Sequence, residues 1–441
     1  MPSGGGLLQL VAQGKQDVFL TGNPQFTYFK MIYKRHTNFS VEAQPISFEG
    51  TPDFGQRITC VIPRLGDLLG RTYLHVVLPR LTYTDTSGAK IPVSYVNSIG
   101  HALIQEISLE IGEHEIDRQT GEWMEIWSQL TDSYQYTNAL DTMLGRTAGY
   151  AVPTLIPGSA SSGAELYIPL QFFFCRNAGW YIPLLALQYH TVRINVTIAP
   201  LQTLFYTPLL VTNPSLGIQV NPAHIVSMQL WSDFVFLDTE ERRRFVSSPH
   251  DYLIEQVQYT PLVNILSNQS IVNIHCHFNH PIREFQFVVQ RDYMQQVNQP
   301  FNFSSLATDE PFPSAILSPY FLPHQQRTNL IASALLQLDG YDRFSVRPAS
   351  YFTLIQPYEH HTNTPVDNFI HTYSFALTPE KPEPSGSINA SRINSIIWKL
   401  TMNPILQVTG TTTGNSHARI YATNYNIFRV VDGFGGILFT I

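Results

Sequence analysis

Apolar and polar side chains alternate with a period of two along much of the chain. In residues 192–198, for example, valine and isoleucine alternate with arginine, asparagine and threonine. This period is typical of a β-strand that buries one face and exposes the other. Similar patterns predict strands at 57–62, 72–78, 106–111, 226–237, 252–259, 271–278, 285–290, 396–402 and 419–430. Because short strands separated by Pro, Gly, Asn and Ser turns are typical of antiparallel sandwiches and barrels, the sequence predicts an all-β fold.

Two segments carry helical signals instead. Four apolar residues between 123 and 130 recur at the spacing of one helix face. A second helix is predicted to begin after Asp238, a good N-cap residue, and to end before Pro249. Its basic run, Arg242–Arg244, would complement the negative end of the helix dipole. Four other long stretches, rich in Pro and Gly, are predicted to be surface loops: 131–165, 200–225, 291–330 and 357–391.

A weak internal repeat divides the chain into halves of roughly 200 residues, within the usual size of a domain. The run Leu109–Gly112, followed by Asp117-Arg118 and Trp123, parallels Leu336–Gly340, followed by Asp342-Arg343 and Tyr351-Phe352. Strands near 57 and 72 correspond to strands near 271 and 283, and the strand ending at Leu237 corresponds to one ending near Val431. The repeat predicts two similar β domains that meet at the helix of residues 238–248.

The composition is unusual for a free-standing soluble protein. Only 13% of the 441 residues are charged, whereas about 25% is usual. The chain also contains 22 tyrosines, 27 phenylalanines and five tryptophans. Few charges and many aromatics favour a surface covered by partner subunits, although a polar surface rich in Asn, Gln, Ser and Thr is an alternative. A net charge of −7 argues against a dedicated nucleic-acid-binding protein.

Targeting and redox signals are weak. Cys60, Cys175 and Cys276 are widely spaced, which disfavours both a disulfide framework and a zinc ribbon and favours a reducing compartment. The first residues lack the charged and apolar regions of a secretory signal, and Pro2 is incompatible with myristoylation. No stretch reads as a transmembrane helix.

The most site-like motif is His275-Cys276-His277-Phe278-Asn279-His280. Histidine and cysteine are metal ligands. On a strand, however, Cys276 points away from His275 and His277, and the next carboxylate, Glu284, follows seven residues after His277. An exposed or interface strand is therefore the favoured interpretation.

Other candidate motifs also have structural interpretations. His360-His361, beside Glu359, is predicted to lie in a loop, and Arg242–Arg244 is predicted to pair within its helix or at a subunit contact. Asp339-Gly340 and Pro384-Ser385-Gly386 are turn signals. Asn38, Asn195, Asn268, Asn302 and Asn389 begin glycosylation sequons, which we do not expect the secretory machinery to use. The sequence thus predicts no catalytic residue, no cofactor-binding residue and no metal ligand.

Several long motifs resemble a known family. In the first half they are Leu8–Ala12, Gln16-Asp17, Leu20–Gln25, Phe29–Phe39, Phe172–Asn177, Pro183-Leu184, Leu187–His190 and Leu237–Phe245. In the second half they are Phe278–Pro281, Asp342–Phe344, Tyr373–Leu377, Pro384–Gly386, Asn389, Ser391-Arg392, Asn424–Asn426 and Gly433–Gly436. The chain resembles, over almost its whole length, the major capsid proteins of nucleocytoplasmic large DNA viruses, particularly those of algal viruses.

This resemblance implies two tandem eight-stranded antiparallel jelly-roll sandwiches, the double jelly-roll. The expected division is an N-terminal arm at 1–25, a first jelly-roll at 26–237, a helical boundary at 238–248 and a second jelly-roll at 249–441. Three chains would form a pseudo-hexagonal capsomer that tiles an icosahedral shell. Some long loops would form a tower on its outer face.

The resemblance also implies partners and a location. Expected partners are further copies of the chain, minor capsid proteins, which the arm would face, and penton proteins. Contact with the internal membrane would be indirect, and direct nucleic-acid binding is not expected. Assembly would occur in the cytoplasm of the infected cell, and the product would be part of the virion.

Two other classes of function remain open at this point. One is an enzyme on a double β-sandwich, such as a hydrolase acting on glycans, which needs a pair of carboxylates in a cleft. The other is a pair of carbohydrate-binding modules with exposed aromatics on a loop rim.

Overall fold

The alternating segments form the strands of two antiparallel sandwiches in the computed structural model. The structure describes residues 4–84, 90–91, 93–132, 134–146, 164–207, 210, 218, 220, 224–305, 328–365, 369–403 and 414–440. Contacts divide the chain into a unit of residues Met1–Phe39 and a unit of residues Ser40–Ile441.

The first sandwich, here called the first lobe, is built from eight principal strands. They are β1 Phe39–Ser47, β2 Arg57–Val61, β3 Leu68–Leu78, β4 Ile104–Ile111, β5 His114–Thr120, β6 Ala164–Pro169, β7 Val192–Ile198 and β8 Ser227–Leu237. One sheet, which we call the terminal sheet, has the order β1-β8-β3-β6. The other, which we call the middle sheet, has the order β2-β7-β4-β5.

The second lobe repeats this arrangement. Its principal strands are β9 His250–Tyr259, β10 Ile271–Cys276, β11 Pro281–Arg291, β12 Ile331–Leu338, β13 Tyr341–Asp342, β14 His371–Ser374, β15 Ile396–Met402 and β16 Ser416–Val431. The terminal sheet has the order β9-β16-β11-β14 and the middle sheet the order β10-β15-β12-β13. Both lobes therefore place the first, eighth, third and sixth strands in one sheet, which confirms the predicted repeat and the two jelly-rolls.

Four short strands extend the sheets of the second lobe: Val263–Ile265, Arg347–Pro348, Ile388–Asn389 and Phe434–Ile437. Two separate two-stranded sheets pair Tyr83–Thr84 with Lys90–Ile91 and Ser94–Tyr95 with Phe205–Tyr206.

The repeat extends to the hairpin between the fourth and fifth strands. In the first lobe the turn residues Gly112 and Glu113 have φ of 59° and 71°. In the second lobe Asp339 and Gly340 have φ of 49° and 83°. Two successive residues with positive φ match the right-handed twist of the flanking strands, so glycine and aspartate at these turns have a conformational reason.

Helices lie between the strands. They are α1 Gly5–Val11, α2 Val18–Thr21, α3 Ile99–Leu103, α4 Gly121–Thr131, α5 Tyr134–Leu144, α6 Phe173–Arg176, α7 Thr239–Ser247, α8 Asp292–Gln296 and α9 Gln356–His360. Single 3-10 turns occur at Ala178–Trp180, Leu201–Thr203 and Ala390–Arg392, and a π-helical turn at Tyr351–Ile355 leads into α9. Both predicted helices, α4 and α7, are confirmed.

The helix α7 begins where the sequence predicts. The side chain of Asp238 accepts a hydrogen bond from the backbone N–H of Thr239 at 2.7 Å. Nε of Arg242 lies 3.1 Å from Oδ1 of Asp67, a buried carboxylate that also accepts from the N–H of Leu237 at 2.8 Å. This contact ties the linking helix to the first lobe.

The prediction of long surface loops is partly wrong. Helix α5 lies within 131–165, and strand β14 lies within 357–391. Met294 and Phe303, from the stretch 291–330, are buried. These segments were missed because they are short or lack alternation. In β14, for example, His371, Thr372 and Tyr373 are all buried, because both faces of this strand are covered. Its sequence therefore shows no alternation of apolar and polar residues. Other parts of the predicted loops, including 147–163 and 306–327, lie outside the described residues.

The unit Met1–Phe39 contains α1 and α2, and none of its described side chains is buried. Fourteen large apolar side chains among its described residues are exposed: Leu7, Leu8, Leu10, Val11, Val18, Phe19, Leu20, Phe26, Tyr28, Phe29, Met31, Ile32, Tyr33 and Phe39. Across the described residues, helices long and apolar enough to cross a membrane are absent.

Candidate assembly surface

The histidine motif lies on β10 and just after it, and its side chains alternate as predicted. Cys276 and Phe278 are buried, whereas His275 and His277 are exposed. Burial raises the pKa of the Cys276 thiol to about 12, so this thiol is protonated at neutral pH. Among the described residues, no three His, Cys, Asp or Glu side chains are grouped as metal ligands.

His361 departs from its prediction. His360 is the last residue of α9 and therefore does not lie in a loop, whereas His361 follows the helix in an extended conformation, and its side chain is buried. Nε2 of His361 lies 3.0 Å from Oε2 of Glu284, and Nδ1 lies 3.1 Å from Oε1 of Glu380. Burial lowers the pKa of His361, but the two carboxylates outweigh it and raise this pKa to about 9. His361 is therefore a buried cation held by two acids.

Glu284 lies where the lobes meet, in a network of buried charges. Arg283, its neighbour on β11, pairs with Glu255 on β9. Glu255 also accepts a hydrogen bond from Nη1 of Arg176, in the first lobe, at 2.5 Å. Five side chains form this series of ion pairs, and each is at most 14% exposed: Arg176, Glu255, Arg283, Glu284 and His361. Buried charges need such mutual pairing because isolated ions are costly to remove from water.

Trp127 of α4 is the apolar partner of this network. Cζ of Arg176 lies 4.5 Å from the centre of its ring and Cζ of Arg283 lies 5.2 Å from it. His361 contacts the same indole edge-on, with ring centres 6.5 Å apart. Cations near the electron-rich face of an indole are attracted to it, most strongly when water is excluded. The indole thus stands between cations from both lobes.

Hydrogen bonds extend the lobe interface along α4. Oγ1 of Thr120, at the start of the helix, lies 2.8 Å from Oη of Tyr421 on β16. Nε1 of Trp123 donates to Oε1 of Gln286 on β11 at 3.4 Å. At the other end of the helix, the N–H of Asn363 donates to the carbonyl oxygen of Leu130 at 2.9 Å. The helix therefore lies across the outer face of the second lobe's terminal sheet.

Strand β5 joins the same interface at its edge. Oδ1 of Asp117 accepts from the N–H of Val257 on β9 at 2.9 Å, and Tyr259 donates to Glu106 at 3.1 Å. Apolar packing is continuous as well, because one buried cluster contains first-lobe residues together with Ile254, Val257, Val288, Tyr293, Met294, Val297, Phe303, Ile370, Tyr421, Phe428 and Val430.

Equivalent faces of the two lobes are covered to different extents. On β11 the outward side chains, Glu284, Gln286, Val288 and Gln290, are buried, and Gln286 and Val288 pack against the first lobe. On β3 the outward side chains, Arg71, Tyr73, His75 and Val77, are exposed or half-buried. The outer face of the terminal sheet is therefore covered in the second lobe and open in the first.

The open face carries aromatic rings from three adjacent strands, which we call the aromatic platform: Tyr73 and His75 of β3, Tyr167 of β6 and Trp231 of β8. The rings of His75 and Tyr167 stack with centres 4.5 Å apart. Trp231 meets His75 edge-on at 6.3 Å. Its Nε1 is buried and has no hydrogen-bond partner among the described residues. A group of aromatic rings on one sheet face is typical of a contact surface.

A second open surface is the segment 351–360, which we call the docking segment. It comprises the π-helical turn and α9. Phe352 is buried in its own lobe, but Leu354 is 40%, Ile355 46% and Tyr358 81% exposed. Such neighbouring exposed apolar side chains mark interaction surfaces when they form a patch.

A cavity at the lobe interface is a poor match for the active site expected of a glycan hydrolase. A cavity of about 380 Å³ opens at the lobe interface, and its lining includes His101, Glu122, Gln295 and Arg419. Glu122 is the one carboxylate among the described lining residues, and it lies 3.6 Å from Arg419. Glycoside hydrolysis needs two carboxylates.

Two of the five sequon asparagines are inaccessible. Asn195 and Asn302 are buried, and Oδ1 of Asn195 accepts a hydrogen bond from Thr59 at 2.7 Å. Asn38, Asn268 and Asn389 are exposed.

Both lobes have counterparts in known proteins. The family described as "Major capsid protein N-terminus" matches residues 27–238, and the family described as "Large eukaryotic DNA virus major capsid protein" matches residues 241–436. The major capsid protein of Phaeocystis pouchetii virus is 36% identical, with 99% of each chain covered. PBCV-1 VP54, solved as a crystal structure and fitted into a virophage reconstruction, has 29% identity and a TM-score of 0.74 over 94% of this chain and 100% of its own. The Faustovirus major capsid protein shares the fold, with a TM-score of 0.73 at 13% identity over 96% of each chain.

These proteins have structural and not enzymatic roles, and their fold is the double jelly-roll predicted from the sequence. Nothing favours the carbohydrate-directed alternatives. Both halves match in order, and relatives more than 30% identical match along the whole length. The chain thus belongs to the family of major capsid proteins of large eukaryotic DNA viruses.

Proposed function

We propose that this capsid protein assembles as a homotrimer that forms a pseudo-hexagonal capsomer. The observation that carries the proposal is the unequal cover of equivalent faces: the first lobe covers the terminal sheet of the second lobe, while its own terminal sheet stays open. A repeat of the same contact by a neighbouring chain would cover it.

Geometry makes three chains the natural number. Each chain supplies two lobes of the same topology. Six such lobes around an axis give a near-hexagonal ring when every lobe covers the next in the same sense. Such head-to-tail contacts are heterologous, and in the proposed capsomer they would close after three chains. Obligate contacts of this kind bury on the order of 2,000–5,000 Å² and are rich in aromatic and poor in charged residues, as this sequence is.

The proposal includes the organisation of the chain. We assign an arm to residues 1–25, a first jelly-roll to 26–237, the helical boundary to 238–248 and a second jelly-roll to 249–441. The strand sets of the two lobes and the two family matches support these limits. The separate contact unit up to Phe39 suggests that arm-like structure extends beyond residue 25.

The location and further partners of the protein are proposed from its membership of the family. We propose assembly in the cytoplasm of the infected cell and a place in the virion shell, beside neighbouring capsomers and minor capsid and penton proteins. The exposed apolar residues of the arm would contact minor capsid proteins. Contact with the membrane would be indirect, and direct nucleic-acid binding is not part of the proposal. Nor does it assign a catalytic, cofactor-binding or metal-binding role to any residue.

Light scattering on the purified native protein tests the trimer. We expect a mass three times the 49.9 kDa of one chain at micromolar concentration. A stable monomer under these conditions would contradict the proposal.

A further inference from the structure

We infer that the docking segment of one copy packs on the aromatic platform of the next copy in the ring. The inference rests on the proposed trimer and names the surfaces that would close it.

The first argument is topological equivalence. Helix α4 lies between the fifth and sixth strands of the first lobe, and the docking segment lies between the fifth and sixth strands of the second. Within one chain, α4 covers the outer face of a terminal sheet and contacts Gln286 and Tyr421, which lie opposite each other on the third and eighth strands. In the first lobe, Tyr73 and Trp231 lie opposite each other on the same two strands. The docking segment is thus the equivalent of α4, and the platform is the equivalent of the sheet face that α4 contacts. Within one chain, these two equivalents are already in contact.

The second argument is that both surfaces lack cover. On α4 every residue from Gly121 to Leu130 is buried or half-buried, because the second lobe covers its outer side. The docking segment has the same place in its lobe, yet it exposes Leu354, Ile355 and Tyr358. An apolar helix face is normally buried against another element. In a ring of lobes, the platform of the neighbouring copy is the element that would bury this face.

The third argument is chemical fit. The platform offers the stacked rings of His75 and Tyr167, and the segment offers two aliphatic side chains, Leu354 and Ile355, and the ring of Tyr358. Glu165 lies exposed beside the platform, bonded to His75 at 2.9 Å, and Arg347 lies exposed just before the segment. Aromatic anchors surrounded by complementary charges are typical of contacts that contribute strongly to affinity.

Two single substitutions test the pairing. Ile355→Asp places a charge on the segment and Tyr167→Asp places one on the platform, at positions 46% and 39% exposed. Each should weaken the trimer about 30-fold or more, as expected when an interface anchor is lost, and yield folded monomer. Leu262→Asp is the matched control, because Leu262 is 44% exposed outside both surfaces and should leave the trimer intact.

Mixing the two variants gives a sharper result. The Tyr167→Asp chain retains its segment and the Ile355→Asp chain retains its platform, so native mass spectrometry should detect a heterodimer with one intact contact but no closed ring. Circular dichroism and thermal unfolding of each variant check folding. If Ile355→Asp does not fold, Tyr358→Asp, at an 81% exposed position, replaces it.

The outcomes separate the two proposals. A wild-type monomer would contradict the trimer itself. A wild-type trimer with trimeric folded variants, or with monomeric variants that form no heterodimer, would overturn the pairing of segment with platform and leave the trimer standing.

Discussion

Individual residues at the lobe interface combine charge with complete burial, and sequence pattern identifies them poorly. Alternation on β10 correctly separated Cys276 from His275 and His277, because a strand fixes side-chain direction every second residue. The pair of Glu284 and His361 could not be found in that way. These residues are far apart in sequence, and only the folded chain brings His361, which follows α9, next to Glu284 on β11.

The raised pKa of His361 makes a pH-dependent prediction. In the unfolded chain this imidazole has its ordinary pKa of 6.5, whereas in the folded chain its pKa is about 9. The stabilisation is therefore fully present below pH 6.5 and lost as pH rises through about 9. We expect the free energy of unfolding to fall by about 1–3 kcal/mol over this window.

Urea unfolding at a series of pH values measures this effect. In a His361→Gln variant the fall between pH 6.5 and 9 should largely disappear, whereas His275→Gln, at an exposed strand position, should retain it. Equal pH profiles for the wild type and His361→Gln would show that another group is responsible.

At the scale of elements, the period of the apolar residues and the capping residues were sufficient to predict a segment that is long and buries only one face. Helix α4 follows from its apolar spacing, and its first turn is closed by Thr120, which accepts a hydrogen bond from the N–H of Trp123 at 3.2 Å. Strand β14 and helix α5 were missed. A strand of four residues whose polar side chains are covered on both faces has no period to detect, because tertiary packing alone determines its state.

Thr120 is predicted to stabilise both the helix and the lobe interface. Thr120→Val keeps the shape of the side chain but removes the cap and the hydrogen bond to Tyr421. We expect a loss of about 1–2 kcal/mol in the free energy of unfolding, measured by denaturant titration. Ser247→Ala, at the exposed end of α7, is the control and should change stability by less than about 0.5 kcal/mol. A neutral Thr120→Val would show that Thr120 makes no net contribution.

At the scale of the whole molecule, the two lobes share a core as well as a topology. The repeat in the sequence predicted two sandwiches, but it could not show that apolar packing and paired charges would join them into one unit. Composition favoured a surface covered by partner subunits, with a polar but uncharged surface as the alternative. The structure shows that part of the covered surface lies between the lobes.

A shared core predicts cooperative unfolding. Calorimetry of the trimer-deficient Ile355→Asp protein should show one main transition for both lobes. Adding Trp127→Ala removes the indole between Arg176 and Arg283 and should cost about 3–5 kcal/mol. It should also separate the unfolding of the lobes into two transitions. Two transitions before the substitution would contradict the coupling.

The strand order also governs when each surface exists during synthesis. The eighth strand of each lobe lies between the first and third, so a lobe cannot close until that strand has left the ribosome. The platform is complete once Leu237 has emerged, because Trp231 lies on β8. The docking segment belongs to a lobe whose last principal strand ends at Val431. On the inferred pairing, a nascent chain would present a receptive surface early and gain its own means of attachment only when translation of the second lobe is finished, so we expect little premature association on polysomes.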